Sequence, residues 1–504
     1  MKCPVCGHAE TLVYGKTDRG ELQRICPACH EIFTDRPLRN YTALSIIQSK
    51  KARYFVLLFF CIGFAINFII ANMVPYYHRS DVQVFRVWAD CFFQSKLKIY
   101  LTCNTGFYPT IGMLASGGII YSIKALTGLT DGEFINNAFR SYLFFFDILN
   151  LFLFVAIARM MRFQKPIILG LALFLIPSNI VGGAIWGQID NISLSFCLIS
   201  SIAMIKSWGE LHNAKSDLKA ISWLLVAALS LPIFILVKQL SAFSLPYFLV
   251  LFVVTTIKFW QKWQKKGAVY ICAAIGVFFL VFYSLDHLLA VPKNFLGSSY
   301  YYIWTGGSSD HGNIISANGF NIWIFLGRDP ASSSRIPFSL LWDKDAIFKV
   351  SPYDFGIALY LFWIIFLLVT TGWLTRKNSQ EFNADPSSGE PKLMAVLFLY
   401  HGLSYLGFNV LLTGTHERYM YNGYPFLLFA IAWFLTQRLV FSWRITVFCF
   451  ASAFIYGCFV FSIIGPLPGI LFAFSRHEFL ASIHLLLLIL LADAWLQICR
   501  LHRV

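Results

Sequence analysis

Charge is scarce in this chain. Of its 504 residues only 13% are charged, against 58% hydrophobic and 51 phenylalanines. Soluble globular domains carry about a quarter of their residues as charge, so those classes are excluded. Two further absences narrow the field. The chain does not open with a short basic region followed by an apolar core, so no cleavable signal peptide is expected and Tyr54 to Val74 would act as a first, uncleaved span. No internal repeat relates the two halves, and the polar clusters gather on one face instead of at mid-membrane. Both features count against a secondary transporter, the competing class for a chain with about twelve spans. The net charge of +15 calls for no nucleic-acid partner, because its basic residues sit in short clusters between apolar runs.

Long apolar runs are what the chain does have. Tyr54 to Val74, Ile221 to Val237, Ala268 to Leu285, Gly356 to Leu374 and Phe479 to Leu491 approach or reach the ~20 residues needed to cross a bilayer. The fold class expected is an all-α polytopic membrane protein, a helical bundle of about 12–13 transmembrane segments with outer-loop helices. Spans are expected at about 54–74, 141–158, 166–186, 191–206, 220–237, 240–257, 267–285, 352–375, 393–411, 420–437, 445–464 and 479–498. The basic clusters, among them Arg159 to Lys165, Lys206 to Lys219, Lys258 to Lys266 and Arg500 to Arg503, then all face the cytoplasm, as cytoplasmic loops should. Counting Thr110 to Ala125 alone as a span would reverse every later loop, so that segment reads as re-entrant or short, or as one of a pair of spans whose partner is not evident.

Residues 1–50 form a separate object. Cys3-Pro4-Val5-Cys6 and Cys26-Pro27-Ala28-Cys29 are two CxxC knuckles joined by a polar linker, the spacing that brings four thiolates around a tetrahedral Zn²⁺. The expectation is a small cytoplasmic zinc ribbon with a closed, structural site and a possible cytoplasmic protein partner. Thiolates belong to a reducing compartment. Residues 51–504 are then the membrane domain, with outer loops at about 75–140 and 286–351. Cys91 and Cys103 are placed to pair in the first of these loops.

With both termini inside, the unusual polar clusters fall together on the outer face. They are His78 to Asp81, Phe85 to Asp90, Tyr108-Pro109, Trp186 to Asp190, Lys238-Gln239, Asn318 to Trp323 with Arg328 and Arg335, and His416-Glu417-Arg418. Charge near a membrane-embedded helix costs about 2.5–3.5 kcal/mol per residue at the bilayer centre, and it persists where it pairs or lines a cavity. A carboxylate among several cations suits group transfer: the carboxylate takes a proton from an attacking hydroxyl, and the cations stabilise charge on a departing phosphate. Asp343-Lys344-Asp345 is read as a solvated loop, and no catalytic metal is expected.

These residues resemble, in order, the motifs of the GT-C superfamily of integral-membrane glycosyltransferases, the bacterial mannosyltransferase-like members that use polyprenyl-phosphate sugars. The resemblance covers about residues 54–460. It rests on Asp81 after the first span with Phe85 and Trp88-Ala89 behind it, Tyr108-Pro109, Trp186-Gly187-Gln188-Ile189-Asp190, Lys238-Gln239, Asn318 to Trp323, and His416-Glu417-Arg418-Tyr419. The chain departs from the pattern around Tyr108-Pro109, where Phe107 and Thr110 stand in place of an acidic residue and a second proline. The resemblance also does not extend to the ribbon.

What the resemblance implies is an inverting transfer of a sugar from a polyprenyl-phosphate donor to an acceptor hydroxyl of a lipid, glycan or protein. Asp81 would be the general base, with Asp90 as the alternate. Lys238, His416, Arg418, Arg328 and Arg335 would contact the donor phosphate. Trp186, Gln188, Asp190, Asn318, Asn321 and Glu417 would bind substrate, Glu417 by orienting Arg418. The location implied is the inner membrane, multi-pass, with the site on the extracytoplasmic face. A degenerate scaffold that keeps this fold without the chemistry is the remaining alternative.

Overall fold

The computed structural model describes residues 80–95, 99–102, 108–129, 132–176, 186–211, 217–289, 297–305, 320–326, 350–384, 386–437, 443–464 and 477–501, together with short pieces at 12–16, 22–25, 32–34, 179, 183–184, 314 and 316–317. The chain forms two units, Met1–Gly63 and Phe64–Val504. In the first, strands β1 (Leu12–Lys16), β2 (Leu22–Ile25) and β3 (Ile32–Thr34) make an antiparallel sheet in the order β1-β2-β3. Leu12 stands opposite Ile25, and Ile25 opposite Ile32. The expected zinc ligands Cys3, Cys6, Cys26 and Cys29 lie outside the described residues, as does the expected first span at 54–74.

The second unit is built of helices. In chain order they are α1 (Ser80–Ser95), α2 (Thr110–Thr127), α3 (Gly132–Met160), α4 (Pro166–Phe174), α5 (Asp190–Glu210), α6 (Asp217–Val237), α7 (Leu245–Trp263), α8 (Lys265–Asp286), α9 (Ser298–Thr305), α10 (Pro352–Ala384), α11 (Pro386–Leu411), α12 (Tyr424–Thr436), α13 (Trp443–Ile464) and α14 (His477–Leu501). Among the described residues nine helices are long and apolar enough to cross a membrane. The protein is a multi-pass helical membrane protein.

Burial sorts these helices. The apolar stretch of α11, Glu390–Leu411, is buried along its whole length, whereas that of α8 is almost entirely exposed. An all-round buried helix sits at the centre of a bundle and can carry polar groups that its neighbours satisfy. This one carries Tyr400, His401, Ser404, Tyr405 and Asn409.

Two expected spans and one segment left out of the span list come out differently. Thr110–Thr127 is one continuous 18-residue helix that meets the length and composition of a span, with a π-helical turn at Leu114–Gly118. Gly112 explains its position, since the backbone there passes directly against the carbonyl of Val237, where no side chain would fit. The span expected at 166–186 stops at Phe174. Pro177 follows in the sequence and disfavours helix at Ile176, and Asn179 donates to the carbonyl of Leu173 at 2.5 Å, satisfying the helix end. The span expected at 420–437 begins only at Tyr424, where Pro425 occupies the first turn of α12.

Candidate functional site

Neighbouring helices run in opposite directions, so the start of α5, the ends of α6, α8 and α11, and the starts of α2 and α12 share one end of the bundle. The predicted site segments lie at these points. The tightest contact among them is a buried ion pair: Lys238, just past α6, places Nζ 2.5 Å from Oδ1 of Asp190, the first residue of α5, and both side chains are only 3% exposed. Snorkelling to headgroup water is thereby excluded for Lys238. Tyr108 completes the cluster. Its hydroxyl donates to Oε1 of Gln188 at 3.0 Å, and Lys238 Nζ stands 5.5 Å from the centre of its ring. Trp186 is buried beside them in sequence.

The turn that carries Gln188 and Asp190 is held by a network that sequence reading passed over. Asp147, buried in α3, accepts from the Ala184 amide at 3.1 Å and from Asn191 Nδ2 at 2.9 Å. Asn191 also donates to the Leu143 carbonyl at 2.7 Å, and Asn150 donates to the Asn191 carbonyl at 3.0 Å. Such buried networks hold one geometry when every member is satisfied. The available signal was a lone carboxylate within an apolar run. Gly187 lets the turn close: its φ is +84°, and a methyl group there would strike Val82.

That contact brings α1 to the site, because Val82 follows Asp81. Phe85 and Trp88, one and two turns further on, pack their rings against Tyr108 at 5.8 and 5.2 Å. Asp81 thus occupies the helical position one turn before Phe85. Its side chain lies outside the described ones, as do those of His416, Glu417 and Arg418. The alternate base Asp90 is on a different footing: it pairs with Lys124 at 2.6 Å and is 58% exposed.

A second missed residue, Asp286, positions Tyr108 from behind. Its carboxylate accepts from the amides of Ser298 at 2.6 Å and Ser299 at 3.0 Å and from the Ser299 hydroxyl, closing the start of α9. Its own carbonyl accepts from Thr110 Oγ1 at 3.0 Å. Tyr300 donates to the Ile235 carbonyl at 2.6 Å, and burial, with the Asp286 carboxylate second, pushes its phenol up and keeps it protonated.

The remaining two segments meet each other. Strands β4 (Ser316–Ala317) and β5 (Thr415–His416) pair in parallel. Asn321 Nδ2 donates to Thr415 Oγ1 at 3.1 Å, and Trp323 Nε1 to the Leu411 carbonyl at 2.8 Å. Asn422, just past this segment, donates to Ser193 Oγ at 3.3 Å, and Ser193 in turn lies 3.2 Å from Ser241. The 415–423 segment is so tied to the first turn of α5 and to the 3₁₀ turn after Lys238. Asn318, Arg328 and Arg335, and the loop acids Asp343 and Asp345, lie outside the described residues. Cys91 on α1 is disulfide-bonded, while Cys197, Cys272, Cys449, Cys458 and Cys499 are free.

Beside this polar end is an apolar cavity of about 700 Å³ among α5 to α8, lined by residues that include Leu224, Leu249, Phe278 and Phe279. Ile235 and Ala242, which bracket Lys238 in the sequence, are part of its wall. Comparison with known proteins gives no matching family model, no similar curated protein and no similar solved structure.

Proposed function

We propose that this protein is an integral-membrane glycosyltransferase that moves a sugar from a polyprenyl-phosphate donor to an acceptor hydroxyl with inversion. The observation that carries the reading is the meeting of the ordered motif segments at one bundle end: Tyr108 on Gln188, Asp190 on Lys238, Asn321 on Thr415, and Val82 against Gly187. The apolar cavity whose wall includes Ile235 and Ala242 suits a lipid-linked donor, because a long isoprenoid chain needs an apolar place near a site for its phosphate.

In the reaction Asp81 takes the proton of the acceptor hydroxyl while its oxygen attacks the anomeric carbon. The bond from that carbon to the phosphate oxygen breaks, and its electron pair leaves with polyprenyl phosphate. Lys238, His416 and Arg418, with Arg328 and Arg335 from the long loop, offset the charge that gathers there. The site faces the extracytoplasmic side of the inner membrane, where a disulfide at Cys91 is at home. The N-terminal unit is a cytoplasmic zinc ribbon, in which Cys3, Cys6, Cys26 and Cys29 would hold a structural Zn²⁺, with β1 and β2 between the two knuckles in sequence and β3 after the second.

The test is sugar release or transfer from a radiolabelled polyprenyl-phosphate hexose by the purified full chain. Asp81→Asn should abolish turnover while the protein is made and extracted normally. Wild-type turnover by Asp81→Asn would remove Asp81 from the mechanism, and a wild-type protein inert with every such donor would remove the function.

A further inference from the structure

At this end of the bundle four side chains, each from a residue at most 5% exposed, are among those holding polar atoms without a hydrogen-bond partner among the described residues. They are Nε2 of Gln188, Oδ2 of Asp190, both amide atoms of Asn409 and Oδ1 of Asn422. Neither asparagine belongs to the residues singled out from the sequence. The four are close together in the fold. Asn422 bonds Ser193, one turn into the helix that Asp190 opens. Asn409 lies one turn beyond Tyr405 on α11, and Tyr405 packs directly against Gly423, the neighbour of Asn422. The carbonyl of Asn409 accepts from Thr415 Oγ1 at 3.5 Å, the hydroxyl that also takes Asn321.

An orphaned buried polar atom costs about 1–3 kcal/mol, and interiors seldom leave several together. Two of the five atoms donate and three accept. A sugar hydroxyl both donates and accepts, so adjacent ring hydroxyls match such a set, whereas a phosphate offers acceptors alone.

We propose that Gln188, Asp190, Asn409 and Asn422 form the pocket for the transferred sugar and bind its ring hydroxyls. The assignment rests on the glycosyl-transfer reading and adds two residues to it. It makes Asn409 and Asn422 specificity residues of the site.

Binding to the full-length protein in lipid nanodiscs tests this. The probes are a short-chain polyprenyl phosphate carrying mannose or glucose, and the same lipid as its methyl phosphate, which has the same charge but no sugar. Wild type should bind one of the hexosyl lipids at least about 10-fold more tightly than the methyl lipid, the equivalent of one or two hydrogen bonds. Asn409→Ala and Asn422→Ala should each take most of that increment away and leave affinity for the methyl lipid unchanged. Equal loss for both lipids overturns the proposal. A wild-type protein that binds the methyl lipid yet gains nothing from a sugar overturns the pocket alone. One that binds neither lipid overturns the glycosyl-transfer reading with it. Should an asparagine variant not fold, monodeoxy-hexose lipids offered to wild type replace it: loss of at least one hydroxyl should weaken binding about 10-fold, and a flat series refutes the pocket.

Discussion

Replacing Lys238 with methionine keeps most of the side chain's length and removes its ammonium group. In the native fold that charge sits 2.5 Å from Asp190, with both side chains 3% exposed. The variant therefore strands a buried carboxylate. Breaking a buried pair in this way costs about 3–5 kcal/mol, which lowers the folded-to-unfolded ratio by a factor on the order of 10²–10³ at about 1.4 kcal/mol per decade. Adding Asp190→Asn removes the stranded charge and keeps the shape, so the double variant should recover most of the loss. The measurement is a thermodynamic cycle over wild type, both single variants and the double, with unfolding driven by SDS in mixed micelles or by steric trapping. A coupling of at least about 2 kcal/mol is expected for groups in such contact. Additive single effects, or a Lys238→Met protein as stable as wild type, would refute a buried ion pair at this site.

Three further outcomes are expected. Gly187→Ala forces a left-handed φ of +84° on a residue with a Cβ and drives that atom into Val82, so stability should fall by about 1–2 kcal/mol and turnover with it. Gly128→Ala, at φ +66° with open space around it, carries the strain without the clash and should leave turnover intact; equal turnover of the two variants would disprove the role of the Gly187 turn. Cys91 should react with a water-soluble maleimide only after reduction, read by peptide mass spectrometry, and labelling without reductant would show that the bond is not formed. Elemental analysis of protein purified without chelator should find one zinc per chain, lost in Cys3→Ser/Cys26→Ser; a metal content unchanged by that double replacement would place the zinc elsewhere.

How much was legible beforehand depended on the range of the interaction. Helices α5, α6, α7, α8 and α11 fall where long apolar runs stand, because spanning a bilayer is a demand on one local segment. Thr110–Thr127 was left out of the span list because it upset the alternation of basic loops, while its fit against the end of α6 at Gly112 is visible only in the fold. Lys238 and Asp190 were both recognised as unusual, yet nothing in either neighbourhood says that they meet, being separated by 48 residues. Asp147, Asp286, Asn409 and Asn422 escaped notice for a related reason. A polar residue inside an apolar run reads as an isolated cost until the groups that surround it are known.

The sequence by itself determined that this is a membrane protein, which segments are apolar enough to cross, and the order in which polar motifs interrupt them. Those are properties of composition and local run length. Only the tertiary structure decided that Tyr108, Gln188, Asp190 and Lys238 form one cluster, that Asn321 and Thr415 form another tied to it through Asn422, and that Asp147 and Asp286 hold the backbone beneath them. Such partnerships depend on which helix faces pack together, and with little water available inside the bundle each buried polar group must find its partner on another helix or keep it for a ligand.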